Sequence, residues 1–186
     1  MKIGVLRIGS VDSTVIERVQ ENLKMIFPKT TCTLLDEALP IPKEAYDEKR
    51  QQHRSNIILT TIRAQTAKQK TLDRILGVID TDIFVSPLSY VFGQAECLGK
   101  AALISLHRLR QEFYNKKPNT DLFIERATKE AVHELGHTFG LQHCSNPFCV
   151  MYFSNSIFDT DRKQSLFCNK CYMKVETKTD RHREKA

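Results

Sequence analysis

Apolar residues recur along the chain at two spacings, and the switches between them mark out its elements. Residues 2 to 8 alternate and are rich in β-formers, which predicts a buried first strand. Val15, Val19, Leu23 and Ile26 then share one helical face, with Thr14 and Glu17 spaced for a capping box and Pro28 placed to stop the helix. Thr30 to Leu35 read as a second strand, and LPIP beyond them as an irregular connector. From about Asp47 to Leu76, the positions Ile58, Ile62, Leu72 and Ile75 suit one long helix or two shorter ones. Gly77 is expected to end that helix and VIDTDIFVS to return as a strand. YVFGQAECLGKAALISLHRL reads as two strands joined through Leu98–Gly99–Lys100. After a polar turn, Thr120 or Asp121 can cap a helix over about residues 121 to 138. Regular periodicity is lost beyond Gly140, and KVETKTDRHREKA reads as a frayed, charged tail.

Strands alternating with helices imply right-handed crossovers and an α/β fold on a mixed, mostly parallel twisted sheet. The hairpin would add one antiparallel strand at its edge. A length of 186 residues suits one domain. No apolar run approaches the ~20 residues that cross a bilayer, so no membrane partner is expected. The opening MKIGVLRIGS reads as a strand rather than a signal peptide, which makes a cytoplasmic monomer the expectation. The formal charge of +6 is scattered over Lys43 to Arg74, Arg108 to Lys117 and the tail. Without an aromatic-interleaved basic stripe it reads as a solvated surface, and nucleic acid is not an expected partner.

The chemistry concentrates in AVHELGHTFGLQH, residues 131 to 143. On a helix His133 and His137 project from one face a turn apart, so two imidazole nitrogens can reach one zinc ion. Glu134 lies beside that face, where a carboxylate can take a proton from water activated by the metal. Gly140 sits where the backbone must turn sharply, returning His143 as a third ligand. Three protein ligands leave a fourth position open, which distinguishes a catalytic zinc from a structural one.

HELGHTFGLQH, continued by C-SNPF-C-V-M and C-NK-C, resembles the archaemetzincin family of metzincin zinc metalloproteases over at least residues 131 to 171. The resemblance implies a cleft between a larger N-terminal lobe, residues 1–140, and a small irregular C-terminal lobe, residues 141–175, with 176–186 as a flexible tail. It implies a methionine-containing turn beneath the catalytic zinc, with Met151 as the matching residue. It also implies hydrolysis of peptide bonds, in short peptides and by aminopeptidase action. Some metzincins carry a tyrosine two positions after this methionine; here Phe153 holds that position and Tyr152 comes one early, so Tyr152 is assigned no catalytic role. Phe139 and Phe153 are expected in the core rather than in a specificity pocket.

Four of the six cysteines, Cys144, Cys149, Cys168 and Cys171, fall within 28 residues. Two knuckles of this spacing match a closed, structural Cys₄ zinc site; redox-active thiols or disulfides are the competing readings. The expected complement is therefore two zinc ions per chain, one catalytic and one structural. Cys32 and Cys97 are expected as small buried hydrophobes. The alternative function is a latent or inactive metzincin-like fold that serves as a zinc-stabilised module binding peptide or nucleic acid. Retention of Glu134 argues against it, because a ligand-only site needs no carboxylate there.

Overall fold

A computed structural model describes residues 1–27 and 29–183, the last seven by their backbone alone. Five strands form the main sheet, in the order β2-β1-β5-β8-β7. They are β1 (Lys2–Ile8), β2 (Thr31–Leu39), β5 (Arg74–Ile79), β7 (Gly93–Ala95) and β8 (Ala101–Ser105). β1 pairs parallel with β2 and β5, and β5 pairs parallel with β8, while β7 runs antiparallel to β8 at the edge. A small second sheet holds β3 (Tyr46–Asp47), β4 (Gln52–Arg54) and β6 (Ile83–Phe84). The mixed, mostly parallel α/β architecture and the antiparallel edge hairpin agree with the sequence.

All six residues of β5 are buried, because helices cover both faces of the main sheet. On one face, α2 (Ser55–Lys68) sets Ile58 and Ile62 into a cluster with Ile8, Ile75 and Leu103. On the other, α1 (Ser13–Ile26) and α3 (Thr120–Thr138) build a larger core that runs on to Val150, Met151 and Cys171. Two further helices follow, the short α4 (Ile157–Arg162) and the longer α5 (Asn169–Arg183). No helix among the described residues is long and apolar enough to cross a membrane.

Several boundaries differ from the sequence reading. The cap of α1 is Asp12, whose side chain accepts from the Thr14 N–H, rather than a Thr14–Glu17 box. The helix ends where the Phe27 N–H bonds to the Leu23 carbonyl, and Pro28 lies outside the described residues. β2 runs on to Leu39, past the expected Leu35. α2 stops at Lys68, so Leu72 is not helical and Ile75 belongs to β5. Gly77 does not end a helix but sits inside β5, where a Cβ would run into Ile62 of α2. VIDTDIFVS is divided between β5 and β6. Asn119 caps α3 in place of Thr120 or Asp121, accepting from Leu122 N at 3.0 Å. The charged tail continues the backbone of α5 to Arg183; residues 184–186 lie outside the described residues.

Candidate active site

α3 carries His133, Glu134 and His137 and is buried on nearly every side, with fourteen of its nineteen residues inside. It stops in a Schellman turn: the Gly140 N–H bonds to the His137 carbonyl at 2.7 Å and the Leu141 N–H to the Gly136 carbonyl at 3.2 Å. Gly140 has φ +76°, the left-handed conformation that glycine adopts without a steric penalty. The turn sends the chain back over the helix and delivers His143 to the other two histidines. Their ring centroids lie 4.7 to 5.3 Å apart, and one ligand atom from each lies within 4.8 Å of the others.

Backbone carbonyls orient two of these rings. His133 Nδ1 is 2.7 Å from the Val150 carbonyl and His137 Nδ1 is 2.7 Å from the Leu141 carbonyl. A carbonyl only accepts, so both Nδ1 atoms carry the proton and both Nε2 atoms present lone pairs. Those Nε2 atoms are 3.1 Å apart. Two lone pairs at that separation repel unless a cation lies between them, and two nitrogens on one tetrahedral zinc at ~2.0–2.1 Å stand roughly 3.3 Å apart. Burial lowers the pKa of all three histidines, and Lys163 lowers each further, so the neutral form that binds metal is favoured. The donor set fits a zinc ion.

The Glu134 carboxylate lies against the edge strand. A Cβ on Gly93 would come within 2.6 Å of Glu134 Oε1, so the missing side chain is what admits the carboxylate. Burial raises the Glu134 pKa well above the usual carboxylate range, with Glu130 adding to the rise and Lys163 opposing it. Behind it, Glu130 accepts from Thr160 Oγ1 at 3.0 Å and faces the Lys163 ammonium at 3.0 Å. This ion pair is almost wholly buried.

Met151 is fully buried, and a Cβ on Gly136 would overlap its sulfur, so the methionine packs on α3 between the two ligand turns. The segment around it also places main-chain groups: the Val150 carbonyl meets His133, and the Met151 carbonyl accepts from Cys144 N at 2.8 Å. Phe139 is core, as expected, but Phe153 lies 4.8 Å from the His143 ring and lines the cleft. Gly93, Gly136, Glu130 and Lys163 carry no signal in the sequence, because each acts through a residue far along the chain. Only the spacing of Glu130 and Glu134, one helical turn apart, was there to be noticed.

The four clustered cysteines meet as well. Their sulfurs lie within 4.8 Å of one another, with Cys144 and Cys168 at 3.9 Å, and none forms a disulfide. Four thiolates on one zinc at ~2.3 Å stand roughly 3.8 Å apart, so this set also fits a tetrahedral ion. Burial raises the thiol pKa of Cys149 and Cys171, a cost that a coordinated cation offsets. Of the other two cysteines, Cys32 is buried as expected, whereas Cys97 is exposed at the rim of the cleft.

Known proteins resemble this chain over most of its length. The sequence profile of peptidase family M54 matches residues 7–177. The archaemetzincin of Methanocaldococcus jannaschii is 42% identical over 176 residues, covering 95% of this chain and 93% of its own length. That of Pyrococcus furiosus is 42% identical over 180 residues, with the same coverage. The crystal structure of Archaeoglobus fulgidus archaemetzincin complexed with malonate superimposes with a TM-score of 0.80 at 37% identity, covering 94% of this chain and 99% of that one. The Methanopyrus kandleri archaemetzincin gives 0.81 at 32% identity, covering 97% and 96%. The chain belongs to peptidase family M54, the archaemetzincins, and is a zinc metallopeptidase that acts on peptides or proteins.

Proposed function

We propose that His133, His137 and His143 hold the catalytic zinc and that Glu134 is the general base of peptide-bond hydrolysis. The observation that carries this reading is the convergence of the histidines beside a buried carboxylate, with both Nδ1 protons committed to carbonyls. When bound, zinc supplies a Lewis acid that polarises the attacking water and the scissile carbonyl. Glu134 takes the proton from that water and returns it to the leaving amine. Substrate lies extended along β7, adding itself to the sheet edge as another strand. Gln94 and Ser154 line this cleft, and their buried Oε1 and Oγ have no hydrogen-bond partner among the described residues.

The same reading assigns a second, structural zinc to Cys144, Cys149, Cys168 and Cys171, and a packing role to Met151. Residues 1–140 and 141–175 act as the two lobes, and short peptides are the substrates, with both aminopeptidase action and internal cleavage open to this site. A reducing, cytoplasmic setting and a monomeric state complete it, the former supported by six unpaired cysteines.

Glu134→Gln tests the mechanism, because it keeps the shape and removes the base. Zinc content and fold should persist while turnover of a peptide library falls by ~10² or more. Near-normal turnover would assign the proton transfer elsewhere, and absence of cleavage by either protein would favour a latent, binding-only fold.

A further inference from the structure

Three charged networks lie outside the chemistry just described, and they converge on one hydrogen bond across the cleft. Tyr90 Oη donates to the Asn155 carbonyl at 2.8 Å. Tyr90 precedes the edge strand and Asn155 follows Met151, so the bond joins the upper wall of the cleft to the lower one.

Both posts are fixed. The Arg108 guanidinium lies 4.2 Å over the Tyr90 ring, and Phe92 packs edge-on to it at 5.5 Å. Arg108 is itself locked by two hydrogen bonds of 2.6 Å to Asp82. The residue before Tyr90 is held too: the Ser89 carbonyl accepts from Arg50 at 2.9 Å and from Gln52 at 3.0 Å. On the lower wall, the Asn155 and Ser156 N–H groups donate to the Asp159 carboxylate at 3.1 and 3.0 Å. α4, to which Asp159 belongs, is clamped onto α3 by the Arg126–Asp161 pair at 2.6 Å and by Thr160 on Glu130. An exposed tyrosine on a loose loop would be incidental, but this one is built in from both sides.

Position gives the bond its consequence. The Glu134 carboxylate marks the reacting centre beside Gly93. Tyr90 lies three residues upstream, before the start of β7, a reach of roughly 10 Å at full extension. A peptide pairing antiparallel to β7, the more stable mode, runs its C-terminal part toward Tyr90. At the opposite end the Leu98 N–H bonds to the His137 carbonyl at 3.2 Å on α3, and Gln142 Nε2 donates to Cys97 Sγ at 3.4 Å, between exposed side chains. A weak sulfur acceptor of this kind is easily displaced.

We infer that the Tyr90–Asn155 bond is a specificity determinant that limits a substrate to about two residues beyond the scissile bond. A longer leaving segment has to break it. The inference rests on the reading of this cleft as the peptide site.

The test uses the zinc-loaded full chain and two peptide series cut at one bond, lengthened one residue at a time after that bond or before it. For the native protein, kcat/KM should fall about tenfold or more when a third residue is added on the C-terminal side. Lengthening on the N-terminal side should cost far less. Tyr90→Phe keeps the ring and its stacking but removes the donor, and should raise the ratio of long to short substrates about fivefold, through KM, as expected for one lost hydrogen bond. A flat C-terminal series in the native protein, an equal fall in Tyr90→Phe, or a limit on the N-terminal side alone would overturn the inference. Binding of the same fluorescently labelled peptides to Glu134→Gln, with and without Tyr90→Phe, repeats the comparison without turnover. There, affinity that ignores length overturns the inference alone, whereas absence of any binding overturns the reading of the cleft and the inference with it.

Discussion

At Gly93 and Gly136 the backbone forgoes a side chain, and Glu134 and Met151 occupy the space. Neither glycine stands out in the sequence, since the atom each makes room for belongs to another element. The histidines were legible for the opposite reason: helical spacing and one turn at Gly140 fix their convergence locally. Cysteine shows the same division. The Cys₄ set could be read from spacing, but Cys32 and Cys97 looked alike and differ in burial. Burial pushes the Cys32 thiol up to about 11, with Lys24 pulling the other way. A thiol raised in the folded state contributes stability that is intact below its unfolded pKa near 8.5 and is lost as pH rises toward the folded value. Native protein should therefore lose stability between about pH 8.5 and 11 with a slope approaching 1.4 kcal/mol per pH unit. Cys32→Ala should flatten that limb in urea titrations, and an equal slope in the variant would place the loss elsewhere. At pH 8 a disulfide-exchange reagent should label Cys97 and spare Cys32.

Among the elements, α1, α3 and β1 were read nearly to the residue, whereas β5 was partly assigned to a helix. α1 declares itself through Val15, Val19 and Leu23, all buried. The stretch from Ile75 to Ile79 is apolar without a period because β5 is covered on both sides, so Leu72 and Ile75 could be fitted to a helix that ends at Lys68. α4 escaped notice since six residues give no period, and a polar network holds it in place. The Glu130–Lys163 pair within that network allows a quantitative test. Lys163→Met should destabilise by about 3–5 kcal/mol by leaving the Glu130 carboxylate buried and uncompensated. The double variant with Glu130→Gln should recover most of that loss in denaturant unfolding. Additive losses would mean that the two side chains act independently of each other.

For the molecule as a whole, the proposed ligand sets are disjoint, but they meet at one peptide bond, since Cys144 follows His143 directly. Two zinc ions per loaded chain are expected, the thiolate site holding its ion more tightly. Stepwise chelation, followed by metal analysis and circular dichroism, should remove about one equivalent and all activity before the fold is disturbed. Simultaneous loss of both ions with unfolding would count against separate roles. Cys168→Ser should loosen the segment that carries His143 and Met151 while the main sheet stays folded. Catalytic zinc affinity should then fall by about 10- to 100-fold, the usual effect of removing the groups that support a ligand. Unchanged affinity would make the cysteine cluster an independent module.

That junction also bears on how the protein comes into being. During synthesis His133 and His137 emerge on a helix that packs against strands already made, whereas His143 adjoins Cys144, whose sulfur meets those of Cys168 and Cys171, made later. On the proposed ligand assignment, a ribosome-bound chain carries an unfinished hydrolytic centre until almost its last element has appeared. The order of ligands along the polypeptide would thus keep the peptidase silent among other nascent chains.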